Sequence, residues 1–322
     1  MVFLYGLLLI LIPFQSFAQQ YPTRPINLLV VYAPGGTVDV STRVLASKAE
    51  KFLGKPIIIS NKGGGGGSVA LGTAKNEKPD GYHLVACTSA GLTNYPTFQT
   101  LPYTHQDFAP IVQFVEAGLS GLVVKTDSPW KTLKDVVEFE RKNPGKFSYG
   151  TIGVNSPQHL VMAYVGKKEG IQWTHVPFEG GAPAIMALLG GHISGVASTT
   201  DWVPHVKEGS LRLLATFAET RVTDLPDIPN VPTVRELGYD ITSGSVFIIA
   251  APKGTPPPIV KRLDEVFHKA MGDPEFIQAI QKMQFRVKYG SSEDTEKYLN
   301  ETVRRLRELV RDLKIPRESE KK

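Results

Sequence analysis

Three glycine-containing turns in this sequence place peptide N–H groups where a small anion could be held. The first runs through Pro34, Gly35, Gly36 and Thr37, between an apolar run typical of a buried strand and a segment typical of a helix. Two glycines remove side chains from the approach to the backbone, and the helix start behind them carries partial positive charge. The pattern fits a tight turn and a ligand cradle equally well.

Asp39 and Arg43 follow in the first two turns of the same predicted helix. The helix dipole favours a carboxylate in the first turn, and a cation four residues later is within ion-pair range. Helix stabilisation is the simpler interpretation of both side chains. Direct contact between Asp39 and a ligand is the alternative.

The second turn follows another predicted strand and contains Thr151, Asn155 and Ser156. Ser156 followed by Pro157 is typical of a helix N-cap and first helical residue. The polar side chains offer neutral donors, which suit a carboxylate that must be held and then released. His159, in the first turn of the helix, could donate to a ligand or be a partly buried structural histidine.

The third turn contains Gly180, Gly181 and Ala182 and leads into a helix that starts near Pro183. If the first turn lies in one lobe and the other two in a second lobe, closure of the cleft aims several helix N-termini at one bound group. Each terminus contributes about 0.3–1 kcal/mol near the surface and up to about 2 kcal/mol when partly buried. Together with neutral hydrogen bonds, they support micromolar binding, about −8 kcal/mol.

Alternating strands and helices must position these turns. From Ile26 onward, short aliphatic runs are followed by amphipathic stretches, the pattern of an α/β protein with mostly parallel strands. Residues 37–53 have the pattern of a helix that stops at Gly54, and Thr132 with Asp135 forms a predicted capping pair. The C-terminal third is predicted to be helical, over residues 257–271, 274–283 and 293–313.

The chain contains no flexible linker long enough to separate two independent domains. We therefore predict that it crosses twice between two α/β lobes, outward near residues 116–122 and back near residues 243–247. Residues 21–121 and 246–322 then form lobe 1, and residues 122–245 form lobe 2. Such a double crossover makes a hinged cleft, and the ends of strands and the starts of helices face this cleft.

Composition excludes several classes of function. The 322 residues are 42% hydrophobic and 21% charged, a balance typical of globular proteins and unlike disordered or multi-spanning membrane chains. The net charge of +5 comes from basic residues interleaved with acidic ones, which argues against nucleic-acid binding and leaves a mild attraction for small anions. The single cysteine, Cys87, excludes an intrachain disulfide and a cysteine-based zinc cluster. The seven histidines lack metal-binding spacing, so no metal and no cofactor is expected.

Residues 1–18 have the pattern of a signal peptide. Residues 2–14 form an uncharged apolar run that is too short to span a bilayer comfortably, and Ser16-Phe17-Ala18 is a small-x-small cleavage site. No lysine or arginine precedes the run, so an uncleaved amphiphilic anchor is the alternative. We predict an exported, mature chain that begins near Gln19.

Two further patterns are compatible with an enzyme. Gly65-x-Gly67-x-x-Ala70 follows a predicted strand as a dinucleotide-binding fingerprint does, but residues 82–106 contain none of the acidic residues expected to bind the ribose. Cys87-Thr88-Ser89-Ala90-Gly91 has cysteine where a nucleophile elbow needs glycine. An enzyme on a two-lobed scaffold remains an alternative, because fold does not determine function. Ser89, in the second segment, is included among the predicted ligand contacts.

A series of landmarks runs in order along the mature chain. They include Tyr21-Pro22-Thr23-Arg24-Pro25-Ile26, Pro34-Gly35-Gly36-x-x-Asp39-x-x-x-Arg43, Pro79-Asp80-Gly81-Tyr82, Ser156-x-x-His159, Gly180-x-Ala182-Pro183-Ala184 and Ala251-Pro252-x-Gly254-Thr255-Pro256. Their order and spacing resemble the periplasmic receptors of tripartite tricarboxylate transporters, the Bug-type solute-binding proteins.

This resemblance implies a two-lobed periplasmic-binding-protein ("flytrap") fold. Such a receptor binds a small carboxylate and presents it to an ion-gradient-driven permease with one large and one small membrane subunit. In that family, turns matching residues 34–37 and 150–156 grip the carboxylate, partly through water. The resemblance therefore assigns ligand contacts to Gly35, Gly36, Ser156 and the turn from Gly180 to Ala182. We expect a periplasmic monomer.

The chain departs from the family pattern in residues 198–202. Many relatives have an acid at the position of Ser194 and an Asp-Asn or similar pair further on, whereas this chain reads Ser198-Thr199-Thr200-Asp201-Trp202. The stretch resembles a subgroup with an acid-Trp pair and is expected to contact the distal end of the ligand. Asp201 could accept a hydrogen bond from an ammonium or hydroxyl group, or lie on the surface. A ligand-loaded partner of a sensor kinase is an alternative role with the same binding physics.

Overall fold

The computed structural model describes residues 21–32, 34–117, 119–154, 156–178, 180–223 and 225–313. The predicted signal peptide and Asn155 lie outside these residues. The described chain is a mixed α/β protein built on two β-sheets, which confirms the predicted fold class.

The first sheet has six strands and takes them from both ends of the chain. They are β1 (Ile26–Val30), β2 (Ile57–Asn61), β3 (His83–Thr88), β4 (Phe108–Glu116), β10 (Val246–Pro252) and β11 (Arg286–Gly290). Their order across the sheet is β11-β4-β10-β3-β1-β2. The accompanying helices are α1 (Thr37–Leu53), α2 (Ser68–Ala74), α3 (Ser89–Leu92), α4 (Asn94–Phe98), α9 (Pro257–Met271), α10 (Pro274–Lys282) and α11 (Ser292–Leu313).

The second sheet has five strands from the middle of the chain. They are β5 (Gly121–Lys125), β6 (Ser148–Thr151), β7 (Thr174–Pro177), β8 (Gly195–Ser198) and β9 (Leu211–Thr216), in the order β7-β6-β8-β5-β9. The accompanying helices are α5 (Leu133–Lys142), α6 (Pro157–Glu169), α7 (Gly181–Leu189) and α8 (Val203–Lys207). Apolar clusters fill both faces of each sheet.

Helix boundaries follow the local signals in the sequence. α1 spans the predicted residues, and Gly54 closes it in the left-handed conformation at φ 67°. Thr132 and Asp135 form a reciprocal capping box at the start of α5. Ser156 caps α6, and Pro157 is its first residue.

The prediction of mostly parallel strands was wrong. β1 is parallel to β2 and β3, and β6 is parallel to β7 and β8, but the pairs made by β4, β5, β10 and β11 are antiparallel. β5 and β10 each enter a sheet directly from the other sheet, so they run opposite to the strands they join. β4 and β11, which the sequence analysis did not predict, extend the first sheet beyond β10.

The chain passes between the two sheets twice, through residues 117–120 and 217–245. The two connections are bonded to each other where they run side by side. The Ala117 N–H donates to the Ser245 carbonyl at 2.8 Å, and the hydroxyls of Ser120 and Ser243 share a hydrogen bond. Paired crossover segments of this kind are suited to act as a hinge.

A small apolar cluster also joins the two halves of the molecule. Leu160 of α6, beside the second sheet, packs with Phe98 of α4 and with Leu306 and Val310 of α11, which accompany the first sheet. No helix in the described ranges has the length and apolar character needed to cross a bilayer.

Candidate functional site

The exits of β1 and β3 lie together at one edge of the first sheet. Because β1, β2 and β3 are parallel, their carboxyl ends meet at that edge. The chain leaves β1 for β2 on one side, and β3 pairs with β1 on the other, which is the arrangement that opens a ligand crevice in α/β sheets. Just beyond the strands, the hydroxyls of Tyr32 and Thr88 are 2.7 Å apart and link the two exits.

The second sheet repeats this arrangement around β6. β7 and β8 flank β6 in parallel, so the second turn, the third turn and the segment after β8 meet at one edge. The Phe178 N–H donates to the Thr151 carbonyl at 2.9 Å, which holds the second and third turns together.

Strand register shows that both edges adjoin the crossover segments. Gly121, the first residue of β5, pairs with Ser198, the last residue of β8. Phe247, near the start of β10, pairs with Thr88 at the end of β3. The carboxyl edges of both sheets therefore lie beside the crossovers.

The first turn presents exposed backbone at the carboxyl edge of the first sheet. Pro34, Gly35, Gly36 and Thr37 are all exposed, and Gly35 adopts φ 81°, which favours glycine. Gly36 is the N-cap of α1, and no side chain in the described part of the protein caps this helix. The first-turn amides of a 17-residue helix therefore remain available to an anion.

Asp39 lies behind the first turn and is almost completely buried, at 2% exposure. Its Oδ2 accepts from the Gly35 N–H at 2.8 Å, and its Oδ1 accepts from Arg43 Nε and Asn61 Nδ2, both at 2.9 Å. Burial alone would raise the pKa of Asp39, but these hydrogen bonds outweigh burial and lower its pKa. The carboxylate forms the ion pair with Arg43 that their spacing predicted. It also holds the first turn, which the sequence did not predict, and its contact with a ligand stays a prediction.

The second turn is held by side-chain hydrogen bonds of its own. Ser156 Oγ accepts from the His159 N–H at 3.3 Å. Buried Thr151 has its Oγ1 2.7 Å from His175 Nε2 and 2.9 Å from the Gly153 carbonyl, to which it donates. Buried Thr151 therefore stabilises the turn from the protein interior, whereas Ser156 is partly exposed at the end of the turn.

His159 does not stand alone, because its ring stacks on His175. The two ring centroids are 4.1 Å apart with 19° between the planes, and the Tyr149 ring lies 5.2 Å from that of His175. Burial, with a smaller contribution from His175, lowers the pKa of His159 to about 4, and burial also lowers the pKa of His175. Both imidazoles are neutral at pH 7 and present a dipole, not a fixed charge, beside the second turn.

The third turn lies directly against Asp201. A β-carbon added to Gly181 would be 2.0 Å from Asp201 Oδ2, so a side chain at this position would displace the carboxylate. Thr199 Oγ1 and Ser198 Oγ donate to the same oxygen at 3.0 and 3.4 Å. Asp201 is exposed, while Gly181 beneath it is buried, and Gly180 and Ala182 flank the contact.

Ser89 directly follows β3 and is buried. Its Oγ accepts from the Val246 N–H at 3.2 Å and is 3.4 Å from Ser245 Oγ. These bonds join the end of β3 to the returning crossover. A ligand contact from Ser89 stays a prediction.

Three residues at this site were not predicted from the sequence: Tyr32, Asn61 and His175. Asn61 pairs with Val30 at the carboxyl end of β2, so the rule that parallel strands end at one edge was sufficient to find it. His175 pairs with Tyr149 across β6 and β7, and its stacking on His159 depends on how α6 packs.

The glycines that resemble a dinucleotide fingerprint have a packing explanation. A β-carbon on Gly65 would be 2.4 Å from Ser68 Oγ, and one on Gly67 would be 2.7 Å from Val31 Cγ2. Both residues also have positive φ. In the described ranges, His, Cys, Asp and Glu side chains form no group of three that could hold a metal ion.

Comparison with known proteins gives consistent matches over most of the chain. A family model described as "Tripartite tricarboxylate transporter family receptor" matches residues 41–315. A Cupriavidus necator protein named "UPF0065 protein in gbd 5'region" is 38% identical over 309 residues, covering 94% of this chain and 91% of that protein.

Solved structures match equally widely. The crystal structure of a TctC solute-binding protein from Polaromonas superposes with a TM-score of 0.81 at 30% identity, covering 91% of this chain and 99% of that one. MatC from Rhodopseudomonas palustris, solved with bound malate, superposes with a TM-score of 0.71 at 25% identity, covering 90% of this chain and 100% of that one. These matches agree with the two-lobed fold expected from the sequence.

Proposed function

The chain belongs to the tripartite tricarboxylate transporter receptor family, and from that premise we propose that it captures a small carboxylate between two lobes and delivers it to a membrane transporter. Residues 21–121 and 246–322 form lobe 1, and residues 122–245 form lobe 2. The lobes close about the crossover segments that Ala117, Ser120, Ser243 and Ser245 bond together.

The observation that carries this proposal is the uncapped start of α1, which follows the carboxyl end of β1 at the sheet edge that adjoins the crossover segments. The ligand carboxylate accepts hydrogen bonds from amides of the first turn, around Gly36 and Thr37. Ser156 and the second turn complete the grip from lobe 2, in part through water. Neutral donors hold the anion without a buried opposing charge, so release requires no ion pair to be broken.

Two observations support a carboxylate as the ligand. The first-turn amides and the partial charge of a long helix N-terminus favour an anion over a sugar or an amine. MatC, which shares the fold over 90% of this chain, holds malate. The receptor binds its ligand and returns it unchanged.

A thermal-shift assay over a panel of mono- and dicarboxylates tests the proposal. A ligand that binds the folded state alone stabilises it by RT ln(1 + [L]/Kd), so a bound carboxylate raises Tm with concentration. Native mass spectrometry of freshly purified protein identifies a co-purified ligand by mass. A flat response to every carboxylate, with amines or sugars active in their place, contradicts the proposal.

A second measurement separates a receptor from an enzyme. After hours with the protein, the bound acid should be recovered unchanged by mass spectrometry. Stoichiometric recovery is the expected result. A new product that accumulates beyond the protein concentration would show turnover and assign the cleft to catalysis.

Delivery and location follow from the same role. We place the chain in the periplasm after cleavage near Ala18, as a monomer whose closed form docks on the large and small permease subunits. N-terminal sequencing of protein from a periplasmic fraction should begin near Gln19. Uptake of the identified acid in cells should require both this chain and the permease, whereas a dependence of sensor-kinase output alone would favour the alternative partner.

A further inference from the structure

One imidazole contacts both ends of the second turn. The Nε2 of His175 lies 2.7 Å from the Oγ1 of Thr151, the residue that begins the turn. The same ring stacks on that of His159, in the first turn of the following helix, with 4.1 Å between the ring centroids. His175 belongs to β7, which comes after α6 in the chain and pairs with β6. A residue from a separate element therefore contacts the second turn where it begins and where it ends.

From this arrangement we infer that His175 is a positioning residue for ligand binding. Its Nε2–H donates to Thr151 and so fixes the backbone of the second turn in the shape that presents Ser156 to the bound acid. His175 acts through Thr151 and needs no contact with the ligand. The inference rests on the proposed carboxylate-binding function and adds to it the side chain that preorganises the site in lobe 2.

The hydrogen bonds of Thr151 determine the direction of its bond with His175. Its Oγ1 lies 2.9 Å from the Gly153 carbonyl oxygen, and a carbonyl only accepts, so the single hydroxyl proton lies between these two oxygens. The Gly153 N–H donates back to Oγ1 at 3.2 Å and occupies one lone pair. The remaining lone pair then accepts from His175, which must carry its proton on Nε2. Burial lowers the pKa of His175, so the ring is neutral at pH 7 and Nδ1 carries no proton.

The Gly153 carbonyl connects this network to Ser156. The Ser156 N–H donates to that carbonyl at 3.4 Å, and Ser156 Oγ accepts from the His159 N–H at 3.3 Å. Gly153 has a φ of 135°, which favours glycine, and it has no β-carbon to restrict its backbone. The hydrogen bonds from Thr151 therefore supply the restraint that the glycine lacks, and the position of Ser156 depends on them.

Burial makes the bond between His175 and Thr151 effective. Thr151 is fully buried and His175 is half-buried, so water competes weakly for the hydroxyl. Without the ring N–H, one lone pair of the buried hydroxyl has no donor, and the second turn gains conformational freedom. A turn that must be ordered at the moment of binding reduces affinity. The loss of this bond should therefore be measurable in ligand binding, not only in stability.

Calorimetric titration of wild type, His175→Phe, Thr151→Val and the double variant tests the inference. The probes are malate and the straight-chain mono- and dicarboxylates of three to six carbons, and affinities are compared for the acid that binds wild type most tightly. Each single variant should weaken binding about tenfold, because phenylalanine keeps a ring but no donor, and valine keeps the shape of threonine without its hydroxyl. The double variant should also lose about tenfold, since both changes break one chain of hydrogen bonds.

A matched control and a conservative variant accompany these measurements. His268→Phe is the control, because His268 also stacks on an aromatic ring, that of Tyr289 at 3.6 Å, and lies outside the second sheet. It should bind the acid as wild type does. Thr151→Ser, which keeps a hydroxyl, should recover most of the affinity lost in Thr151→Val. Heteronuclear NMR of the histidine rings gives a readout independent of binding, and His175 should be the Nε2–H tautomer.

The outcomes separate the inference from the function on which it rests. If no acid binds wild type, the proposed function fails. If acids bind wild type, and His175→Phe and Thr151→Val bind them equally well at a lowered or unaltered Tm, the inference fails and the proposed function stands. Additive losses in the double variant, or an Nδ1–H tautomer of His175, would also overturn the inference.

Discussion

The backbone N–H of Gly35 donates to Asp39 Oδ2 at 2.8 Å, so the first turn is tied to the helix that it precedes. Arg43 and Asn61 satisfy the other carboxylate oxygen. One amide of the turn is therefore committed to the protein, and the binding surface is left to Gly36 and the first helical amides. The turn is preorganised, which reduces the ordering entropy that ligand binding must offset.

Asp39→Asn should destabilise the protein and weaken ligand binding together. An amide accepts poorly from Gly35 and Arg43 at once, and the loss of charged hydrogen bonds at a buried site should cost about 1–3 kcal/mol in urea unfolding at pH 7. Asp80→Asn is the control, since its pair with Arg24 is exposed and should contribute about 0–1 kcal/mol. Equal effects of the two variants would contradict the structural role of Asp39.

The stabilisation by Asp39 should also depend on pH. Its hydrogen bonds hold its pKa below the ordinary 3.8 against the opposing effect of burial. A carboxyl group with a lowered folded pKa stabilises fully above the unfolded value, and this contribution is lost as pH falls through the folded pKa. The free energies of unfolding of wild type and Asp39→Asn should therefore differ at pH 7 and converge below about pH 3.8. A constant difference down to pH 2 would contradict this assignment.

Gly36→Val should abolish binding while leaving the fold intact. Gly36 is exposed and has φ −71°, which valine tolerates, but a branched side chain would occupy the space in front of the helix amides. We expect at least about a hundredfold loss of affinity, near 2.7 kcal/mol, with Tm changed by only a few degrees. The matched control is Gly272→Val at the exposed end of α9, also at negative φ, which should bind normally. Unchanged affinity in Gly36→Val would remove the first turn from the site.

His159→Phe should flatten the pH dependence of stability between pH 7 and 5. Burial, aided by His175, lowers the pKa of His159 to about 4. A histidine whose folded pKa lies below its unfolded value of 6.5 stabilises fully above 6.5 and loses this contribution as pH falls toward 4. Wild type should lose about 2 kcal/mol from this group by pH 5, or less after allowance for its partial exposure. Phenylalanine keeps a ring against His175 but takes up no proton.

The measurement is urea unfolding of both proteins at pH 7 and pH 5. His175 also has a lowered pKa, so the variant should keep a residual slope. Identical pH profiles for wild type and His159→Phe would show that His159 does not carry the effect.

Leu160→Ala should weaken the joint between the two halves of the molecule. Leu160 is 2% exposed and packs against Phe98, Leu306 and Val310 across the boundary between the sheets. Removing its side chain leaves a cavity and should cost about 2–5 kcal/mol. Leu237→Ala, at a leucine that is 41% exposed, is the control and should cost well under half as much. A decrease of less than about 1 kcal/mol in the free energy of unfolding of Leu160→Ala would mean that this cluster does not stabilise the contact between the two halves of the molecule.

Much of the local structure was predictable from short-range signals. The bounds of α1 with its Gly54 stop, the Thr132–Asp135 capping box and the Ser156–Pro157 start of α6 were all predicted and confirmed. Each depends on hydrogen bonds or backbone angles among residues only a few positions apart, so the sequence by itself contains the information. The alternation of strand and helix likewise predicted an α/β protein.

The relations that make the site depend on packing between distant segments. Asp201 against Gly181 and His159 on His175 join residues that no local pattern connects, and antiparallel β5 and β10 overturned the expected strand directions. Propensity and periodicity specify which segments become strands or helices, not which segments lie side by side. Tertiary structure alone decided which amides stay free and which carboxylate meets the third turn, because those outcomes follow from how separate elements pack.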